Sequence, residues 1–90
     1  YMITINDKFS KSFAIIIIFL MDKSKYLKLI GHNIKVIRES KGITQQKLAA
    51  DCNFEKSNMS RIEAGNTNPT IYTLHIISLA LDVDIKDLLK

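Results

Sequence analysis

The stretch that most constrains this chain is Thr44 to Gly65, TQQKLAADCNFEKSNMSRIEAG, two short helical patterns with a tight break between them. Thr44 precedes a helix-favouring run, so its hydroxyl can accept from one of the unpaired N–H groups that open a helix. Lys47 stands where a capping box would place Glu or Gln, which leaves a simple cap. Leu48, Ala49 and Cys52 form one narrow apolar face, with Ala49 small enough for a close helix crossing. Asn53 falls where the chain must turn sharply, and Asn tolerates positive φ better than other non-glycine residues. Phe54 is placed to plug the turn. A second helix begins at about Glu55 or Lys56, buries Met59 and Ile62, and ends at Gly65. Its other face reads Lys56, Ser57, Asn58, Ser60 and Arg61, which is polar, mostly short and rich in hydrogen-bond donors.

Helix, short turn and donor-rich second helix is the helix-turn-helix arrangement. An ordinary helical hairpin, or a module of this shape that binds protein, fits the same spacing. Spacing alone leaves DNA binding open against both.

The flanks read as further helices. Leu27, Ile30, Ile34 and Ile37 step by three or four along a helix from about Lys25 to Lys41, with Lys28, Lys35, Arg38 and Lys41 on the surface. Gly42 ends it and Ile43 folds back on the preceding turn. After the turn cluster Asn66–Pro69, Thr70 caps a helix whose stripe is Ile71, Leu74, Ile77 and Leu81. Ile76 falls off that stripe, an exposed position available to a dimer contact. Asp82 takes a position where Gly is commoner, and Val83 packs inward. Asp84 is expected to cap a last helix that closes the core with Ile85, Leu88 and Leu89. With 3 Gly and 1 Pro and little period-2 alternation, the chain is expected to be all-α after residue 25. Ninety residues suit one domain.

The start of the chain does not match the rest. Tyr1–Asp7 alternates weakly, and Lys8 and Lys11 lead into FAIIIIFLM, Phe13–Met21. Nine apolar residues are about half of the roughly 20 that span a bilayer, no small-residue cleavage site follows, and the β-branched run favours strand. Residues 1–24 therefore form an N-terminal arm, packed on the domain or pairing with a second subunit, or a non-native segment upstream of a start at Met21. Membrane association is a third reading.

Charge is unevenly placed. From Lys23 to Arg61 nine Lys/Arg stand against three acids; from Ile62 to Lys90 two Lys stand against four. A basic half carrying the helix pair suits a polyanion, although a solvated basic face is also common. The single cysteine excludes an internal disulfide and fits a reducing cytoplasm. Cys52 reads as a small buried hydrophobe. His32 and His75 lack the paired spacing of a zinc site, and no nucleophile–base set or Gly-rich phosphate loop appears. The expectation is a protein that is not an enzyme and needs no metal or other cofactor.

From Ile30 to Leu89, about two-thirds of the chain, the pieces IGHNIKVIRESKGITQQKLA, SNMSRIEAG, NPTIYTL, ISLALDV and DLL together resemble the phage-repressor and Cro-type (Xre-like) helix-turn-helix family. The resemblance implies a compact five-helix, lambda-repressor-like domain over residues 25–90. It also implies a sequence-specific, double-stranded-DNA-binding transcriptional regulator, by expectation a repressor, that reads the major groove with helix 56–64. On that basis Lys56, Ser57, Asn58 and Arg61 contact bases, where Arg or Lys suits guanine and Asn suits adenine. Gln45, Ser60, Asn66 and Asn68 contact the DNA backbone. Arg38 and Glu63 form a structural ion pair, with Arg38 on a phosphate as the alternative. Glu55 departs from the usual capping Ser or Thr, which weakens the cap and sets a carboxylate towards DNA phosphates. The implied partner is a palindromic operator bound by a homodimer in the cytoplasm. The dimer would use helix five, the Ile76 region or the arm. The rival reading is an antitoxin or adaptor with a toxin-like protein partner, which an exposed apolar face on helices four and five would favour.

Overall fold

The computed structural model describes residues 11–18 and 22–90. Five helices form the body: α1 (Lys23–Ser40), α2 (Gln45–Asp51), α3 (Lys56–Ala64), α4 (Ile71–Leu81) and α5 (Lys86–Leu89). Among the described residues there is no strand. The all-α, five-helix domain expected of residues 25–90 is the one observed, with α1 starting two residues earlier because Asp22 caps it, accepting from Lys25 N–H at 2.9 Å.

Residues 11–18 are also helical, and every one of them is exposed. The strand expected of the isoleucine run is therefore not what forms there. Strand preference measures the fit of a side chain to a pleated neighbour, and no described strand is present to supply one. A helix satisfies its backbone within itself. The weak alternation of residues 1–7 and the end of the apolar run at residues 19–21 lie outside the described residues. Among the described residues no helix is long and apolar enough to cross a membrane.

Each helix of the body ends for a local reason. Thr44 caps α2 by accepting from Lys47 N–H at 3.0 Å, and Thr70 caps α4 by accepting from Thr73 N–H at 3.1 Å. Gly42, Asn53, Gly65 and Asp82 adopt φ of 70°, 61°, 77° and 59°, the left-handed turns expected at those breaks. The cap expected of Asp84 does not form. Ile85 takes the cap position, and the N–H that an Asp84 carboxylate would have held, that of Asp87, is bonded at 3.0 Å to Asp84's own carbonyl.

The core gathers Ile30 and Ile34 from α1, Leu48 and Ala49 from α2 with Cys52 at its end, Met59 and Ile62 from α3, Leu74, Ile77 and Leu81 from α4, and Leu88 from α5. Val83 packs against it as expected. Two stripe positions differ. Ile71, expected inside, is 70% exposed, because it opens α4 beyond the end of the core. Ile76, expected outside, is half-buried against the core, since α4 also packs on α2 and its covered arc is broader than one stripe.

α1 packs on α3 and α5, and α2 on α3 and α4. The α1–α3 crossing is close: a Cβ on Gly31 would lie 2.5 Å from Ile62 O and nearer still to Glu63 O. Gly65 is required twice over, by its positive φ and by Lys28, whose backbone would lie 2.8 Å from an added Cβ. At the far end of α1 the Asn33 amide donates to Leu88 O at 3.0 Å and Lys90 O at 2.7 Å, tying α5 to α1.

Candidate nucleic-acid interface

α2 and α3 are the helix-turn-helix. Met59, Ile62 and Glu63 face inward from α3, while Lys56, Ser57, Ser60 and Arg61 are exposed. Asn58, expected on the exposed face, is half-buried. The helix starts at Glu55 without a side-chain cap bond, as its departure from Ser or Thr implied.

The orientation of α3 is held by a buried ion pair. Arg38 Nε donates to Glu63 Oε2 at 2.7 Å and Nη2 donates to Glu63 Oε1 at 3.0 Å, the bidentate fork that suits guanidinium to carboxylate. Arg38 Nη1 donates to Ile43 O at 2.8 Å, which ties the turn after α1 into the same network. Each partner is 8% exposed. The Glu63 hydrogen bond holds the guanidinium pKa above its ordinary value even though burial acts the other way. All three guanidinium nitrogens of Arg38 thus have protein partners.

Gln45, expected on a phosphate, donates from Nε2 to Glu63 Oε1 at 3.0 Å and is half-buried. Its amide belongs to the Arg38–Glu63 network, and Glu63 accepts three hydrogen bonds in all. Above that network lies an open groove of about 510 Å³ lined by Lys35, Gln45, Gln46, Lys56 and Ser60 among others. A second concavity, about 530 Å³, lies between the start of α1 and the turn after α3, and Asp22, Lys23, Ser24, Asn66 and Asn68 are among the residues that line it. The four backbone-contact candidates therefore divide, Gln45 and Ser60 with the first groove and Asn66 and Asn68 with the second.

Sequence reasoning missed Lys35 and Gln46 as groove residues and Gly31 as the point of closest helix approach. An interior helical glycine costs about 1 kcal/mol relative to alanine, so Gly31 carried a signal of close packing. Lys35 carried none beyond standing three residues before Arg38.

Cys52 is buried, and desolvation, with a smaller contribution from Asp51, pushes its thiol up to about 11. It is protonated at neutral pH and acts as a small core residue, as its place on the apolar face implied. Among the described residues no three His, Cys, Asp or Glu side chains are grouped to hold a metal ion.

Comparison with known proteins agrees with this geometry. A family model described as the Cro/C1-type helix-turn-helix DNA-binding domain matches residues 33–90. The control protein C.BamHI of Bacillus amyloliquefaciens is 40% identical over 62 residues, covering 68% of this chain and 76% of its own. A crystal structure of SinR, the master regulator for biofilm formation, in complex with DNA superposes with a TM-score of 0.63 at 40% identity, covering 68% of this chain and 98% of that one. The restriction-modification controller protein C.AhdI of Aeromonas hydrophila gives 0.67 at 26% identity over 69% of this chain and 94% of its own. A helix-turn-helix held by the Arg38–Glu63 pair and a family match over most of the body lead to one conclusion: the chain belongs to the Cro/C1-type helix-turn-helix DNA-binding domain family.

Proposed function

We propose that this chain is a transcriptional regulator, by preference a repressor, that occupies a double-stranded operator with α3 in the major groove. The observation that carries the reading is the face of α3. Ser57 and Arg61 are exposed one turn apart on a helix whose opposite side is locked by Met59, Ile62 and the Glu63 pair. Arg61 is suited to guanine O6/N7, and Asn58 to adenine at the edge of the face. Lys56 stands at the border between this face and the first groove. Asn66 and Asn68, beside Lys23 and Ser24, suit backbone phosphates. The working unit is the five-helix body whose first helix starts at Lys23 behind its Asp22 cap, acting in the cytoplasm.

The test is binding to a random-sequence duplex pool, followed by fluorescence anisotropy at two salt concentrations. Salt-sensitive binding with selective enrichment of sequences is expected. A folded protein that binds no duplex at low salt would remove the regulator reading.

One observation favours a protein contact as well. On α4, Ile71, Tyr72 and Leu79 are 70%, 71% and 62% exposed. At about 100° per residue Tyr72 and Leu79 lie about 20° apart on the side of α4 away from the core, and Ile71 adds exposed apolar surface at the start of the helix. A second copy of this chain suits that surface, because a two-fold dimer places two α3 helices on half-sites about 10 bp apart. A toxin-like partner would use the same surface. Sedimentation of the protein alone separates the two: a concentration-dependent dimer lost in Leu79→Lys supports self-association, and a strict monomer excludes it.

A further inference from the structure

We infer that the groove between α1, α2 and α3 is a phosphate seat in which Lys35 and Lys56 together hold one backbone phosphate, so that Lys56 anchors the DNA and does not read a base. The inference rests on the DNA-binding reading and assigns the groove within it.

Charge accounts for the seat. The acid beneath the groove, Glu63, accepts two hydrogen bonds from Arg38 and one from Gln45, so its charge is met from within the protein. Arg38 gives its remaining nitrogen to Ile43 O, so each of its three nitrogens is engaged within the protein and the side chain is held beneath the groove. The cations that remain in the groove are Lys35 and Lys56, and among the described residues neither enters an ion pair. Gln46 and the Ser60 hydroxyl add neutral donors to the same wall. Two lysines with an amide and a hydroxyl form a donor set for a compact anion with several oxygens, which describes a phosphodiester.

The helical positions separate anchoring from reading. Lys56 and Ser60 are four residues apart on α3 and both line the groove, whereas Ser57 and Arg61, also four apart, do not. The two pairs are rotated by about 100° around the helix axis. The flank of α3 that faces α1 and α2 therefore meets the backbone, and the neighbouring face meets the base edges. Side-chain chemistry agrees. Lysine is a compact point charge that suits a phosphate as well as a guanine edge, while Arg61 carries on the other face the rigid planar fork that holds guanine O6 and N7 together.

The experiment is the slope of log K against log salt on the enriched duplex and on a random one. Its subjects are the full chain, Lys35→Ala, Lys56→Ala, the double variant and Arg61→Ala. Thermal melts establish that each variant folds, as expected for exposed lysines. Each lysine variant should weaken binding by the same factor on both duplexes and keep the ranking of sequences. The double variant should lower the slope by about 0.9, the value of one phosphate contact, and by less than the sum of two independent contacts. Lys56→Arg should restore the slope, and Arg61→Ala should alter the ranking instead. A changed ranking in Lys56→Ala, or an unchanged slope in the double variant, overturns the seat while leaving DNA binding intact. Absence of binding by the parent chain overturns the DNA reading and the seat with it.

Discussion

α3 and α4 are neighbours in the chain, nine and eleven residues long, and each buries one side in the same core. Both end on a left-handed residue, Gly65 after α3 and Asp82 after α4. Their outer faces are opposite in chemistry: Lys56, Ser57, Ser60 and Arg61 on α3, but Tyr72 and Leu79 on α4, with Ile71 exposed at its start. Their starts differ too, since Thr70 caps α4 and Glu55 leaves α3 without a side-chain cap bond. The inward sides determine that both helices exist and where they lie. The outward sides determine what each can meet, polyanion or protein. α3 also has something α4 lacks, a buried bidentate ion pair that sets its rotation about its own axis.

The largest expected effect comes from removing that difference. Glu63→Ala leaves the Arg38 guanidinium buried without its carboxylate and should cost about 3–5 kcal/mol in urea unfolding. If Arg38 instead served a phosphate, Arg38→Ala would weaken DNA binding with stability unchanged. Next, Gly31→Ala places a methyl against the Ile62 and Glu63 carbonyls. The atoms it meets are backbone, so overpacking strain of about 1–3 kcal/mol should outweigh the roughly 1 kcal/mol gained in helix propensity. A lowered melting temperature with weakened DNA binding is the expected outcome, and a stabilised variant would show that the crossing is looser than described.

The outer faces can be exchanged in effect. Arg61→Ala should lose about 1–3 kcal/mol of discrimination at one base position while leaving stability and sedimentation unchanged. Leu79→Lys should change sedimentation while leaving the enriched sequences unchanged. Any crossing of these two results would mean that the faces do not divide their roles as described. The smallest effects are at the helix starts. Glu55→Ser should stabilise the fold by about 1 kcal/mol, and Thr70→Ala should destabilise it by a similar amount, both read from thermal melts. Glu55→Ser should also tighten DNA binding, because a carboxylate leaves the side of α3 that approaches phosphate.

How much of this was legible beforehand follows from the range of the interactions concerned. Local features were: Thr44 and Thr70 as caps, Asn53 and Asp82 as left-handed residues, and Met59, Ile62, Leu74 and Ile77 as core. Each depends on residues within about one turn, where periodicity and capping chemistry operate. The strand expected of the isoleucine run failed because strand preference describes a neighbour that the described residues do not supply. Ile71 and Ile76 exchanged exposure because a helix stripe tells which residues share a side, not how far the core extends along it or how much of the arc a second helix covers.

The site followed the same rule. The amino-acid sequence by itself determined five helices, a helix-turn-helix, a donor-rich α3 and, through the family resemblance, the pairing of Arg38 with Glu63. Only the tertiary structure decided that Gln45 turns inward to Glu63, that Gly31 sets the approach of α1 to α3, and that Lys35 and Lys56 share one groove. Those decisions involve residues on different helices. Their meeting depends on how the helices cross, a property of the packed core and not of any local stretch of chain.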